Sequence, residues 1–464
     1  MAKESKQELR ITIKPVSQED NIDHMEITYD FSSVSLEAGD EITSMDICTV
    51  SIPGAEPEEV AFRINGRVLP FRSEDNNPYP YVRRSYIAEA DAKGALGITY
   101  LVRPRALTGK DVCGPYFDFR LEEGGANTAG ISILMNRPSF EGSIALEWDL
   151  SCMPAGTEAV CTWGEGNLNR KGNIDLFRHI YYAIGQIHKV TDGEFGFYWL
   201  SRPDFDIQEI ADYTRKLFAV MQGFFRDEDP VYRIFIRKDP FPSSGGTALL
   251  RSYMLGWTPF QTVSVKEKQN ILAHEMVHNW PQIPDEPYGL ATWYVEGTAE
   301  YYSIMIPLRA GLIDKETALF EIQKRTESYY TNPTRHMENI EAANICWQDR
   351  RAQRLAYGRG IFFLANTDAK MKAATQGRYG IDDVVLGILE KERQGNEVSI
   401  DTFFELGGTF SGIDIRSDYE SMRTGEHFAP LPDSFDACFQ VEEVEAAEAD
   451  TGKPAVSYRW SIRK

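Results

Sequence analysis

The segment ILAHEMVHNW, residues 271–280, carries two histidines four positions apart and a glutamate directly after the first. On a helix, this spacing places His274 and His278 one turn apart on one face, with Glu275 beside them. The apolar residues of the segment form a stripe on the opposite side: Leu272, Ala273, Met276, Val277 and Trp280. Two imidazoles and an adjacent carboxylate in this pattern predict a hydrolytic zinc site in which the glutamate takes a proton from water.

A catalytic zinc takes three protein ligands and leaves one position for water. The segment TWYVEGTAEYY offers the third ligand, because Glu296 follows His278 by 18 residues, near the start of a second predicted helix. Gly297 is expected to let this helix pack closely on the first, and Glu300 is expected to orient one histidine ring. Either glutamate alone also fits a solvated helix face, but together with the histidines they favour a metal site.

Hydrolysis at a carbonyl group develops negative charge, which a donor opposite the metal must meet. The downstream candidates are Tyr301, Tyr302, His336 and Tyr357, and spacing does not choose among them. Tyr357 stands in LAYGRGIFFL, before an apparent glycine-flanked helix start. Turn residues of this kind often carry function.

The composition of the chain narrows the class of protein. It has 464 residues, 42% hydrophobic, and a net charge of −21, which disfavours nucleic acid and anionic membranes as partners. No run of 18 or more apolar residues predicts a membrane span. Six scattered cysteines without a CxxC pair, and a start without an apolar signal core, predict a cytoplasmic protein.

The pattern of elements predicts a multidomain α+β chain. Short alternating runs separated by turn residues predict an antiparallel β-sandwich over 1–170. Mixed strands and helices follow over 171–310, and helical periods dominate 311–440. The acidic segment VEEVEAAEAD, within the tail 441–464, is expected to be an exposed linker or helix, with partner binding as the alternative. The metal-binding helix is expected to begin at a capping box, 264–267.

The segments HEMVHNW, WYVEGTAEYYSIMIPLRAGL and YGRGIFFLANTDAKMK resemble the M61 glycyl aminopeptidases, gluzincin zinc peptidases related to the M1 aminopeptidases. The resemblance implies a thermolysin-like α/β zincin domain, one Zn²⁺ per chain and a peptide substrate. It implies His274, His278 and Glu296 as zinc ligands and Glu275 as the general base. Tyr357 becomes the transition-state donor on this ground, which spacing alone does not provide.

Two features depart from the family. Its members carry a GGLEH-like segment whose glutamate binds the substrate's free amine, whereas this chain has GGTALLRS, with Thr247 followed by Ala248 and Leu249. Gly245, Gly246 and Thr247 are weaker candidates for substrate binding, through pairing of an edge strand with an extended peptide. Many members also continue into a PDZ domain, for which the residues after 440 are too few.

The leading hypothesis is a zinc metallopeptidase, aminopeptidase-like, acting on short peptides. The missing glutamate leaves open an endopeptidase or a peptidase of blocked N-termini, because a buried ammonium without a carboxylate is costly. A hypothesis of another class is an inactive zinc-binding scaffold. Such proteins usually lose a ligand or the base, whereas His274, His278, Glu296 and Glu275 are all present here.

Overall fold

The computed structural model describes residues 7–19, 21–49, 52–77, 81–107, 114–242, 244–261 and 265–464. The chain forms two compact units. The first comprises Met1–Asp212 and Asp229–Val265, and the second comprises Tyr213–Glu228 and Lys266–Lys464. Strands dominate the first unit and helices the second, which confirms the predicted mixed architecture of strands followed by helices. The finer division at 170, 310 and 440 remains a prediction.

The elements of the first part of the chain are β1 Gln7–Gln18, β2 Asn21–Leu36, β3 Glu41–Thr49, β4 Ile52–Pro53, β5 Glu58–Ile64, β6 Arg67–Val68, β7 Phe71–Asn76, β8 Val82–Ala88, β9 Ala92–Val102, β10 Arg120–Glu122, β11 Gly125–Ala129, β12 Gly142–Trp148, β13 Glu158–Cys161, β14 Gly164–Glu165, β15 Leu168–Gly172, α1 Asp175–Arg178, β16 Tyr181–Gly185, β17 His188–Asp192 and β18 Phe195–Trp199. There follow α2 Ile207–Phe224, β19 Tyr232–Lys238, β20 Gly246–Leu249 and β21 Ser252–Trp257.

The largest sheet of the described residues has the order β15-β12-β1-β2-β9-β5-β6. Alternate residues of its central strands are buried, among them Ile11, Ile27 and Ile98, as the period of two predicts. They share one core with Met45 of the sheet β4-β3-β8-β7 and Ile184 of the sheet β10-β11-β16-β13-β14. The β region was expected to be antiparallel, but the pairing of β1 with β12 is parallel. The long connection between these two strands permits that direction.

A third sheet has the order β17-β18-β19-β21-β20. Its strands β18, β19 and β21 run parallel, and their residues are almost continuously buried, as parallel strands require. β20 pairs antiparallel with β21 and forms one edge of the sheet. The edge strand expected within GGTALLRS is therefore confirmed as β20, whereas β21, which follows it, lies inside the sheet.

The second part of the chain contains α3 Val265–Val277, α4 Thr292–Arg309, α5 Lys315–Tyr330, α6 Asn339–Ile345, α7 Arg350–Thr375, α8 Ile381–Arg393, α9 Ile400–Ser411, α10 Ile415–Arg423, β22 Phe439–Ala447 and β23 Pro454–Ile462. The predicted capping box begins at Ser264, which lies outside the described residues. Among the described helices, none combines the length and apolar character that crossing a bilayer demands.

Helices α4 and α7 approach each other closely at two glycines. A Cβ atom on Gly297 would lie 2.4 Å from Cα of Gly360, and one on Gly360 would lie 2.5 Å from Cα of Gly297. The expectation that Gly297 serves close packing was right, but it assumed the wrong partner helix. The partner is α7 rather than α3, because Gly360 supplies the matching gap.

The acidic segment near the end is a strand and neither a linker nor a helix. β22 pairs antiparallel with β23, and Trp460 of β23 donates from its backbone N to Oε1 of Gln323 on α5 at 3.0 Å. Its acidic residues are exposed, as expected: Glu442, Glu443 and Glu445. The strand forms because β23 docks on α5, a contact that the local composition does not encode.

We predict that Gly297→Ala lowers the free energy of unfolding by about 1–3 kcal/mol, because the added methyl group overlaps the backbone of α7. Urea unfolding measures this change. The matched control is Gly223→Ala in α2, where a Cβ meets nothing within 4 Å and helix propensity favours alanine by up to about 1 kcal/mol. Equal stability of both variants would contradict the close crossing.

Candidate metal centre

Three side chains from α3 and α4 converge on one point. The Nε2 atoms of His274 and His278 are 3.2 Å apart, and they lie 3.5 and 3.7 Å from Oε2 of Glu296. All three potential ligand atoms lie within 4.8 Å of one another. Burial of Leu272 and Met276 on the opposite side of α3 confirms the predicted amphipathic face.

The residues present fit a metal ion. Oε2 of Glu296 is buried and has no hydrogen-bond partner, which is costly for a carboxylate oxygen. Two imidazole nitrogens face the same point, and a set of two nitrogens and one carboxylate oxygen suits Zn²⁺ with one position left open. A divalent cation would satisfy the oxygen that the protein leaves without a donor.

The electrostatics of the histidine pair also favour a cation. Burial lowers the pKa of His278 to about 4. Burial opposes the charged form of His274 too, but the carboxylate of Glu300, with Glu296 and Glu275, raises its pKa to about 9. Burial likewise opposes the charged form of Glu296, yet the two imidazoles hold its pKa below the ordinary value. The carboxylates around the pair therefore stabilise positive charge at this point, whether it is a proton or a metal ion.

A buried ion-pair chain supports His274 from behind. Oε1 of Glu300 lies 3.6 Å from Nδ1 of His274. Arg325 of α5 donates from Nε to Oε2 of Glu300, from Nη1 to Oε2 of Glu321 at 2.5 Å, and from Nη2 to Oδ1 of Asn270 at 3.0 Å. Burial disfavours ionised Glu300, but the guanidinium of Arg325 keeps its pKa below the ordinary value.

Sequence reasoning missed Arg325. It lies 25 residues after Glu300 on another helix, and no spacing rule connects the two. Glu321 and Asn270 hold the guanidinium of Arg325, and the guanidinium holds the carboxylate of Glu300 that faces His274. Arg325 is therefore a positioning residue of the candidate site.

Tyr357 contacts the metal centre from α7. Its ring is stacked on that of His274, with centroids 5.8 Å apart and 7° between the planes. Burial raises the pKa of Tyr357, and the charges of Glu296 and Glu275 raise it further, so its hydroxyl stays protonated and can donate. The charge of Glu275 raises the pKa of both His274 and Tyr357, so Glu275 acts electrostatically on both side chains.

The other three donor candidates have partners elsewhere. Tyr301 donates to Oδ2 of Asp368 at 3.3 Å, and Tyr302 donates to Oδ1 of Asp382 at 3.1 Å. Nδ1 of His336 lies 3.1 Å from the carbonyl oxygen of Gly425.

The local structure expected around Tyr357 was wrong. Tyr357 lies two turns inside α7 and does not precede its start. The glycines that follow it are contact points rather than helix breakers, because a Cβ on Gly358 would lie 2.6 Å from Cβ of Tyr329.

Gly245, Gly246 and Thr247 belong to the first unit, whereas the candidate ligands belong to the second. Oγ1 of Thr247 accepts from the backbone N of Tyr116 at 3.0 Å, and the Thr247 carbonyl accepts from the hydroxyl of Tyr181 at 3.1 Å. The backbone N of Gly245 donates to the hydroxyl of Tyr116 at 2.9 Å. Two buried tyrosines thus hold this edge strand in place.

One known protein family matches the segment that bears the site. Residues 267–358 match the M61 glycyl aminopeptidase family, which confirms the resemblance over this segment. The match includes the three candidate ligands, Glu275 and Tyr357. No protein of curated function matches this chain in sequence.

Solved structures share the fold. An aminopeptidase N family protein from Idiomarina loihiensis has a TM-score of 0.71 and 14% identity, over 94% of this chain and 79% of that chain. A mutant M1 zinc metallopeptidase from Deinococcus radiodurans has a TM-score of 0.58 and 15% identity, over 92% and 95% of the two chains. A structure of a mutant of that enzyme with a Tyr-Ser-Ala substrate has a TM-score of 0.56 and 14% identity, over the same shares. The mixed α and β architecture therefore resembles that of the M1 metallopeptidases.

We predict that Arg325→Met weakens zinc binding by about 10–100-fold, because Glu300 loses the charge that keeps it ionised and oriented towards His274. Competition with a coloured chelator measures the affinity. Arg351→Met is the control, since Arg351 is exposed and pairs with Asp349 at the start of α7. Unchanged affinity in Arg325→Met would show that the ion-pair chain does not act on the ligand.

Proposed function

We propose that this chain, which matches the M61 family over its ligand-bearing segment, is a zinc metallopeptidase of the gluzincin type. The observation that carries the proposal is the convergence of His274, His278 and Glu296 around a buried carboxylate oxygen without a donor. Glu275 and Tyr357 beside it supply a base and a donor. The family match and the fold of the M1 zinc metallopeptidases support the same conclusion.

His274, His278 and Glu296 would hold one Zn²⁺. When bound, the cation supplies a Lewis acid that polarises water and a carbonyl group. The proposal includes a thermolysin-like zincin domain over 171–310. A β domain over 1–170 precedes it in the chain, and a helical part over 311–440 follows. Cytoplasmic location remains a prediction from the sequence.

The protein groups have distinct tasks in peptide hydrolysis. Glu275 accepts the proton of the attacking water and later passes it to the leaving amine. Tyr357 is neutral, because its pKa is raised by burial and by Glu296 and Glu275, and its hydroxyl donates to the oxygen on which negative charge develops. Glu300, held by Arg325, keeps the ring of His274 in one orientation.

We prefer aminopeptidase-like action on short peptides. One observation, however, favours endopeptidase action or cleavage of blocked N-termini. β20 contains no acidic residue, and the hydroxyl of Thr247 already accepts from Tyr116. A free substrate amine would have no carboxylate on this strand, so endopeptidase action or cleavage of blocked N-termini is the second candidate. Pairing of an extended peptide with the edge strand β20, at Gly245, Gly246 and Thr247, is the weaker part of the proposal, because the backbone N of Gly245 and the carbonyl of Thr247 already have tyrosine hydroxyls as partners.

We predict that Glu275→Gln and Tyr357→Phe each lower kcat by at least about 100-fold while one zinc per chain remains bound. The reason is that neither side chain is a ligand. Metal analysis and peptide hydrolysis are measured on the same samples. Glu267→Gln, an exposed residue of the same helix α3, and Tyr379→Phe, after the end of α7, are matched controls. Wild-type turnover in Glu275→Gln would rule out this mechanism.

We predict that zinc-loaded protein cleaves peptides with free N-termini and leaves their N-acetylated counterparts intact. In that case a carboxylate outside β20 meets the substrate amine. Mass spectrometry of the paired digests locates each cut. Internal cleavage of the acetylated peptides would instead establish the endopeptidase alternative.

A further inference from the structure

A cavity opens beside the metal centre within the second unit. It has a volume of about 530 Å³, counting the space at its mouth, and both Glu296 and Tyr357 line it. A substrate side chain that enters the cavity would therefore belong to a residue close to the candidate metal centre.

Aromatic side chains form much of the wall of the cavity. Its large side chains are Trp293, Trp347 and Tyr288. Trp293 is buried, Trp347 is half-buried, and Tyr288 is 38% exposed, so part of the aromatic surface faces solvent. Small residues leave the central space open: Gly289, Ala342, Ala343, Cys346, Ala352 and Ala356.

Charge inside the cavity comes from one residue. Apart from Glu296, a candidate metal ligand, no lining residue of the described chain is Asp, Glu, Lys or Arg. Burial raises the pKa of the Cys346 thiol, which keeps it neutral. A charged side chain that entered would lose its hydration and meet no free counter-charge.

The cavity is held in shape before any ligand arrives. Asp285 accepts from the backbone N of Gly289 at 3.1 Å and from Oγ1 of Thr292 at 2.5 Å, which fixes the loop that bears Tyr288 to the start of α4. Gly289 has φ +96°, and a Cβ there would lie 2.5 Å from Cβ of Ala343, so this loop passes tightly over α6.

The deeper wall is fixed by packing. The ring of Trp293 meets Phe363 edge-on with centroids 4.9 Å apart, and Phe403 with centroids 5.5 Å apart. The hydroxyl of Tyr288 and Sγ of Cys346 are 3.4 Å apart, which joins the loop that bears Tyr288 to the end of α6. A preformed wall selects by shape with little cost of ordering.

We propose that this cavity is the specificity pocket of the enzyme and that it takes an uncharged aromatic or large apolar side chain of the residue next to the scissile bond. The inference rests on the proposed peptidase function and deepens it. Such a side chain covers the exposed parts of Tyr288 and Trp347, whereas glycine leaves the cavity unfilled and lysine or glutamate buries a charge.

The test uses two peptide series, Xaa-Ala-Ala-Ala and N-acetyl-Ala-Ala-Xaa-Ala-Ala, with Gly, Ala, Leu, Phe, Trp, Lys or Glu as Xaa. The wild-type kcat/KM for Phe should exceed that for Gly and Lys at least about tenfold at one position next to the cut. Cys346→Phe fills the cavity and should lower the ratio of Phe to Ala at least about tenfold. Trp347→Ala removes part of the wall and should lower the same ratio.

Cys152→Phe is the matched control, because Cys152 is exposed and lies in the first unit. It should leave the ratio of Phe to Ala as in the wild type. Zinc content and circular dichroism establish that each variant is folded. Equal kcat/KM for Gly, Lys and Phe at both positions would overturn the proposal, as would an unchanged ratio in both Cys346→Phe and Trp347→Ala.

Calorimetry separates this proposal from the proposed function. L-phenylalanine and glycine are titrated into the zinc-loaded wild-type protein and into Cys346→Phe. Tight binding of L-phenylalanine that Cys346→Phe weakens, with no hydrolysis of any peptide, would support the pocket and contradict the peptidase. Hydrolysis without aromatic preference would support the peptidase and contradict the pocket.

Discussion

The buried carboxylate of Glu296 is the constraint on which the second unit depends. One of its oxygens has no hydrogen-bond donor and faces two imidazole rings, in surroundings where an unpaired charge is costly. Its ionised form is sustained by His274 and His278, and Glu300 with Arg325 supports the ring of His274. Helices α3, α4, α5 and α7 each bring at least one side chain to this cluster, so its geometry is fixed by tertiary packing and not by a single loop.

Helix α4 combines several tasks on one face. Trp293, Glu296, Gly297 and Glu300 follow the spacing i, i+3, i+4, i+7 and therefore lie along the same side of the helix. Trp293 lines the cavity, and Glu296 is a candidate metal ligand. Gly297 forms the close crossing with α7, and Glu300 supports His274. The crossing glycines set how near α7 comes, and α7 carries Tyr357. One helical face thus carries the helix crossing, a candidate metal ligand and part of the wall of the proposed pocket.

The sequence predicted those parts of the site that follow local rules. The two histidines obey the helical period, and Glu296 and Glu300 stand at a spacing that a second helix can bring to them. Spacing left Tyr357 as one of four donor candidates, and only the family resemblance singled it out. Arg325, Asp285 and Cys346 act through contacts between distant segments, for which no residue pattern exists. The segment VEEVEAAEAD is rich in helix-forming residues, yet it forms a strand because β23 pairs with it and docks on α5.

X-ray absorption at the zinc edge of zinc-loaded protein tests the central claim most directly, because it reports the ligand atoms themselves. The structure predicts a shell of nitrogen and oxygen at about 2.0–2.1 Å, with the outer scattering of two imidazole rings and no sulfur. In His278→Ala protein the imidazole scattering should fall to that of one ring or the zinc should be lost. A sulfur shell at about 2.3 Å, or a shell of oxygen without imidazole scattering, would contradict a zinc site built by His274, His278 and Glu296.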